Sequence, residues 1–320
     1  MADNKLLYKQ LCETENSIPL FMQYWWMEGV CAGKHWDVIL SFDHENNIRA
    51  AMPFLYNQKC KLKYVLMPQQ TQIGGVWVKP EYNNSQSILQ DIAQEFNQKI
   101  EELGLAYYYQ HYPLNSKIAP LMQQFDFKVS DRVTYRINDL SNLDEIIEKF
   151  SKNKKRQLQK ALSSTVDMDL LPDQFYAFHQ QCLAQRHKEI SYSREFFLVI
   201  YEKAINRHQG QIIAIRGPEN QLQAAAFLVW DNQTLYYLIP TYSEAEKASG
   251  ASARLVLESI RLAKEKTQSF DFEGSIDRGI ANHYKQFGSE PTPYCSVEKY
   301  YKQIFRLANA YNWLRNFRKR

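Results

Sequence analysis

The chain has 320 residues, which at ~150 residues per domain predicts two domains. Its 45% hydrophobic and 23% charged residues exclude a disordered chain, and 11 glycines with 11 prolines exclude a collagen-like or low-complexity one. No apolar run reaches the ~18 residues of a membrane-spanning helix, the opening Met1-Ala2-Asp3-Asn4-Lys5 leads into no secretory signal, and five cysteines without C-x-x-C spacing point to a reducing cytoplasm with neither a disulfide framework nor a zinc site.

The charge is concentrated. Residues 151–162 hold five bases (Lys152, Lys154, Lys155, Arg156, Lys160) and no acid, and residues 302–320 hold six bases and no acid. The rest of the chain carries 28 bases against 35 acids. Two basic elements on an acidic body can attract phosphate, nucleic acid or anionic lipid; each also reads as a solvated helix face.

Alternation predicts strands at 36–42 and 48–56 around a polar turn, and a third at 62–66. Ile88, Leu89, Ile92, Ala93, Phe96 and Ile100 recur with helical period over 85–103, and Gly104 stands at the stop. A strand at 105–109, a short helix at 116–124 and a strand at 128–137 complete this block. A second block opens with Ser141 and Asp144 in capping-box spacing, and the basic segment continues helically. Helices follow at 174–187 and 194–207, then strands at 211–216, 222–230 and 234–240, with a Gly217-Pro218 turn between the first two. A helix at 251–266, a strand at 268–272, a helix at 278–287 and a strand at 293–300 close it. The two blocks repeat one order of elements at a distance of about 164 residues, which reads as an internal duplication. The fold class is α/β (α+β): a mixed sheet flanked by helices in each domain, residues 1–140 and 141–301, with 302–320 returning to the first.

Thr241 to Gly288 carries the chemistry. The helix starting at Ala251 exposes first-turn amides and the positive end of its dipole, Gly250 permits close backbone approach, and Ser249 and Ser252 offer hydroxyls. Asp271 and Glu273 alternate with Phe270 and Phe272 at a strand end, and Tyr284 and Lys285 lie on the next helix. Tyr284 suits a general acid for a departing thiolate or ribose oxygen, Glu273 or Asp271 a base for an amine, and Lys285 a partner for developing negative charge. Each also has a plain reading, as a core tyrosine, a strand cap and an exposed helix lysine. No histidine pair has metal-ligand spacing, and no G-x-S-x-G, P-loop or dinucleotide fingerprint occurs. His283, beside Tyr284, points about 100° away on the helix.

Lys247-x-x-Gly250-x-Ser252 resembles the acyl-CoA loop of the GNAT acyltransferases, from which Lys247 and Ser252 depart. Ala281-x-x-Tyr284-x-x-x-Gly288 resembles their later tyrosine motif. The run Phe270 to Ser275, Tyr284-Lys285-x-Phe287-Gly288, Tyr294 and the basic Lys154-Lys155-Arg156-Gln157 stretch resemble the FemAB-like tandem GNAT branch, and the likeness covers nearly the whole chain. The resemblance implies two tandem GNAT-like domains and one working donor site, on Lys247, Ser249, Gly250, Ala251 and Ser252. It implies acetyl-CoA or another acyl-CoA as co-substrate, no metal, and a small-molecule or peptide amine acceptor bound between the domains. Two alternatives stay open. One is an aminoacyl-tRNA-dependent transferase acting on a cell-wall peptide precursor, with Lys154, Lys155 and Arg156 touching RNA or phosphate; the other is a non-catalytic binding protein. No DNA partner is expected. The tail 302–320 either touches an anionic membrane surface or docks on the first domain.

Overall fold

The computed structural model describes residues 3–245, 247–274 and 278–307. In chain order the elements are α1 (Asn4–Thr14), α2 (Tyr24–Val30), β1 (Trp36–Phe42), β2 (Ile48–Lys59), β3 (Leu62–Leu66), β4 (Trp77–Val78), α3 (Gln86–Glu102), β5 (Tyr107–Tyr112), α4 (Ile118–Leu121) and β6 (Lys128–Ile137). They continue with α5 (Leu143–Glu148), α6 (Lys152–Lys160), β7 (Thr165–Asp167), α7 (Pro172–Ala184), α8 (Arg194–Asn206), β8 (Gly210–Arg216), β9 (Leu222–Trp230), β10 (Thr234–Tyr242), α9 (Ala251–Lys266), β11 (Ser269–Asp271), α10 (Arg278–Lys285) and β12 (Glu290–Tyr300).

Two compact units result: residues 1–132 with 293–320, and residues 133–292. In the first, strands run β1-β2-β3-β5-β12, with β4 on β2. Helix α3 starts where the Ser85 hydroxyl accepts the Ile88 N–H, and it stops before Gly104 at φ 63°. Its buried Leu89, Ile92, Phe96 and Ile100 pack with Phe54, Val65, Tyr108 and Met122. In the second, strands run β11-β10-β9-β8-β7, and β6 joins through Arg136 and Ile137 beside β11. Strand β9 is buried along nearly its whole length, and α9 packs Leu255, Val256 and Ile260 among Leu228, Leu235 and Phe270.

The units do not part at the expected 140/141 and 301/302. The reason lies in the closing strands. Strand β6, which ends the first block in sequence, pairs with β11 of the second unit, whereas β12, which ends the second block, pairs with β5 of the first. Residues 301–305 lie on the first unit: the Tyr301 and Lys302 N–H groups both donate to Ala106 O at 3.1 Å, and Phe305 packs on Tyr64 and Tyr107. The rest of the basic tail, 308–320, falls outside the described residues, as does Ser275 of the strand-end motif.

Two other expectations change. Helices α1 and α2 were not foreseen. The capping residue of α5 is Asn142 rather than Ser141, and Ser151 starts α6 as a separate helix, so the basic segment does not continue α5. No helix among the described residues is long and apolar enough to cross a membrane.

Candidate functional site

Strands β10 and β11 pair in parallel over only three residues each, Thr234–Tyr236 with Ser269–Asp271. Beyond Asp271 the chain turns away. The Phe272 N–H donates to Tyr135 O at 2.9 Å, and Glu273 takes φ 60°. Strand β10 runs on to Tyr242, shifting register against β9 between Tyr236 and Ile239. Its edge past Tyr236 therefore has no strand neighbour on the β11 side among the described residues. A cavity of about 510 Å³ opens at this end, lined by Pro240, Tyr242 and Ser243 and by Ala251 and Ser252 of α9. Lys154 and Gln157 of α6, Ile280, His283 and Tyr284 of α10, and Arg186, Glu244 and Lys247 also line it.

Gly250 caps α9 at φ 83°, and a Cβ there would stand 2.1 Å from the carbonyl oxygen of Gln157. The approach of α6 thus demands a glycine here. Ser249 also turns inward, its hydroxyl accepting the Ala251 N–H at 3.2 Å. The Ala253 and Arg254 N–H groups donate to Gly250 O. The Ser252 N–H has no acceptor among the described residues, and Ser252 lines the cavity. Lys247 stands at the rim, its side chain 80% exposed and 3.4 Å from Glu244.

Of the five bases of α6, Lys154 does not share a face with Lys155 and Arg156, because successive helical residues diverge by about 100°. Lys155 donates to Glu148 O, Arg156 pairs with Asn153, and both side chains are exposed. Lys154 alone turns inward and is 3% exposed. Its ammonium donates to Gln157 Oε1 and to His283 Nδ1, each at 3.2 Å, and sits 4.6 Å from the centre of the Phe287 ring. Burial pulls its pKa down from 10.5 to about 8. Burial first, and Lys154 second, pull His283 down to about 4, so the ring is neutral and accepts at Nδ1 with its proton on Nε2.

Tyr284 stacks on Phe272 with ring centres 4.7 Å apart. Burial above all, with Tyr242, Glu273 and Asp271 nearby, holds its phenol well above the ordinary value, so the group is a proton donor at neutral pH. Glu273 and Lys285 depart from the prediction. The left-handed turn at Glu273 breaks the strand alternation, and the residue does not line the cavity. Its Oε1 is sealed from solvent without a donor among the described residues, and desolvation, with Asp271 next, pushes the carboxyl well above its ordinary value. Lys285 is exposed, with its Nζ 5.7 Å from the centre of the Tyr135 ring, and also lies outside the cavity lining. Asp271 is fully buried, accepting from Thr134 and from the Glu273 N–H, with Arg136 Nε at 3.6 Å; it is a scaffold residue.

Sequence reasoning missed Arg186 and Tyr242. Arg186 Nη2 donates to Tyr242 O at 2.7 Å, its guanidinium lies 4.5 Å from the centre of the Tyr242 ring, and its Nε is 2.8 Å from Glu244. No spacing in the chain links residue 186 to 242. Among the described residues, three cations (Lys154, Arg186, Lys247) thus line the cavity against one carboxylate, Glu244. No group of three or more His, Cys, Asp or Glu is placed to hold a metal among the described residues.

The acetyltransferase (GNAT) domain family matches residues 131–286. No curated protein sequence matches the chain. Among solved structures, FemX is similar at 12% identity, with 96% of this chain and 98% of that chain covered and a TM-score of 0.75. A tandem GNAT protein from the clavulanic acid biosynthesis pathway, solved without AcCoA, is similar at 8% identity over 92% and 93%, TM-score 0.55. L-PGS from Bacillus licheniformis is similar at 11% identity over 96% and 98%, TM-score 0.52. A GNAT-domain match over residues 131–286 and a backbone similar to FemX and to a tandem GNAT protein along nearly the whole chain give this chain a tandem GNAT-like fold.

Proposed function

We propose that the second unit transfers an acyl group from acyl-CoA, with acetyl-CoA the simplest donor, to an amine of a small molecule or peptide. The observation that carries this reading is one cavity that joins a cationic lining and an open helix amide to a buried phenol. When bound, the carrier supplies an activated thioester. The free edge of β10 past Tyr236 offers backbone groups to an extended chain bearing amides. The Ser252 N–H, Lys154 and Lys247 receive negative charge at the start of α9. The amine nitrogen bonds to the thioester carbon and the C–S bond breaks; Tyr284 Oη gives its proton to the leaving sulfur, and the proton that the nitrogen loses as the amide forms passes through water in the cavity to the phenolate, restoring it. The amine enters unprotonated, since neither Glu273 nor Asp271 is placed to take its proton.

The test is isothermal titration with acetyl-CoA, followed by thiol release in the presence of a panel of amines. Binding with added hydrogen-exchange protection over 251–266 supports the reading. Absence of heat and of protection overturns it. Transfer from aminoacyl-tRNA is the second reading. The exposed Lys152, Lys155 and Arg156 favour it, and it requires RNA binding that falls steeply with salt. Any turnover excludes a purely binding role.

A further inference from the structure

Among the described residues Lys154 is the one buried lysine of the cavity, and no carboxylate pairs with it. An ammonium has three N–H donors. Two are spent on Gln157 Oε1 and His283 Nδ1 at 3.2 Å. The third has no oxygen or nitrogen acceptor among the described residues. The two acceptors are both neutral, so they orient the cation without cancelling its charge. Ser252, whose N–H has no acceptor among the described residues, lines the same cavity.

We infer that the Lys154 ammonium, aimed by Gln157 and His283, is the phosphate-recognition group of this cavity, and that the site selects carriers bearing a phosphate or diphosphate over carriers that lack one. As a donor-site statement this rests on the acyl-CoA reading above; as an anion-site statement it does not. His283 is a positioning residue here, acting through its Nδ1 lone pair.

The arrangement makes binding depend on pH. The other titratable or charged groups lining the cavity are Tyr242 of β10, Glu244 and Lys247 of the loop before α9, Arg186 after α7, and Tyr284 of α10. Arg254 of α9 is paired with Glu258 on its own helix. Lys154 is charged below about pH 8 and loses its proton above it. A bound anion favours the charged form, so binding above that value takes up a proton, and affinity drops by about tenfold between pH 7 and pH 9. Near pH 4 the His283 ring charges, ceases to accept, and repels the ammonium, so affinity falls there as well.

Titration calorimetry on the full chain with inorganic pyrophosphate, 4′-phosphopantetheine, pantetheine and CoA tests this at pH 7 and pH 9. Wild type should bind 4′-phosphopantetheine about 10- to 100-fold more tightly than pantetheine, as expected for a charge-assisted hydrogen bond. Lys154→Met should erase that preference and the drop between pH 7 and pH 9. His283→Ala should weaken the preference while keeping the high-pH limb. Equal preference and an equal pH slope in wild type and Lys154→Met would overturn the inference, as would a flat wild-type profile, which needs no variant. Pyrophosphate binding through Lys154 with no binding of CoA would leave the anion site standing and remove the acyl-CoA donor. Failure of wild type to bind pyrophosphate, 4′-phosphopantetheine and CoA alike would remove both.

Discussion

Replacing Lys154 by Met tests the electrostatics of the cavity without any ligand. The fall of its pKa from 10.5 to about 8 corresponds to ~3 kcal/mol spent on holding a charged ammonium in the fold. Below pH 8 the folded chain bears that cost. Between pH 8 and 10.5 the unfolded chain binds the proton that the folded one has lost, so this group makes stability rise with pH. Methionine removes the charge and leaves Gln157 Oε1 and His283 Nδ1 without their donor, at about 1 kcal/mol each. The variant should therefore be more stable than wild type at pH 7 by ~1 kcal/mol, and that advantage should shrink by ~2 to 3 kcal/mol, changing sign, by pH 10. Urea unfolding of both proteins at the two pH values measures it, with other titrating groups cancelling in the difference. A gap that stays constant between pH 7 and pH 10 would show that Lys154 is solvated in the folded chain, and the cavity argument would fail with it.

Tyr284→Phe should lower kcat by 10²- to 10⁴-fold with little change in CoA affinity, as steady-state kinetics and titration can show; unchanged kcat would remove the phenol from the chemistry. Gly250→Ala combines φ 83° with a 2.1 Å clash on Gln157 O and should lower the Tm by roughly 5 °C or more in calorimetry, so a neutral substitution would contradict the packing of α6 on α9. Glu273→Gln mimics the neutral carboxyl. Because the folded pKa is raised, wild type should lose Tm relative to the variant as pH rises from 4.5 through that value, and parallel Tm profiles would refute the burial. Titration with CoA should saturate at one equivalent per chain; two equivalents would mean that the first unit also holds a donor.

Much of the second unit was legible because its strands and helices follow local pattern. The apolar run 222–230 becomes a buried strand, and helix 251–266 begins and ends where Gly250 and the periodicity put it. The site was legible only where a motif is local. Tyr284, Lys247, Ala251 and Ser252 all line the cavity. The failures share a cause. Glu273 was placed by extending strand alternation past Asp271, where the chain leaves the sheet at φ 60°. Lys154, Lys155 and Arg156 were grouped by adjacency, although a helix sends neighbours to different faces. Lys285 failed for the same reason, one position beyond a residue that does face inward. Arg186, His283 and Gln157 act through contacts between distant segments, which one sequence does not display. The exchange of closing strands was equally invisible, since β6 and β12 each read as a proper end to the block before it.

The duplication explains why a single cavity is expected. Helix α3 occupies in the first unit the place of α9 in the second, after a strand of a hairpin-led sheet and before a parallel strand. The two starts differ in chemistry. Ser85 caps α3 with its own hydroxyl, accepting the Ile88 N–H and touching Ser87. Gly250 has no side chain to do this, and its lack of a Cβ brings α6 and its inward lysine against the same helix end. At the offset of about 164 residues, Tyr284 falls on Pro120, and α4 (Ile118, Ala119, Pro120, Leu121) carries no titratable group. The first copy therefore keeps the scaffold but has no titratable side chain on α4 at the place of Tyr284, whereas the second has Tyr284 there and adds a cation from an element that precedes the shared pattern. Function in this fold follows from what packs on the helix start rather than from the helix itself.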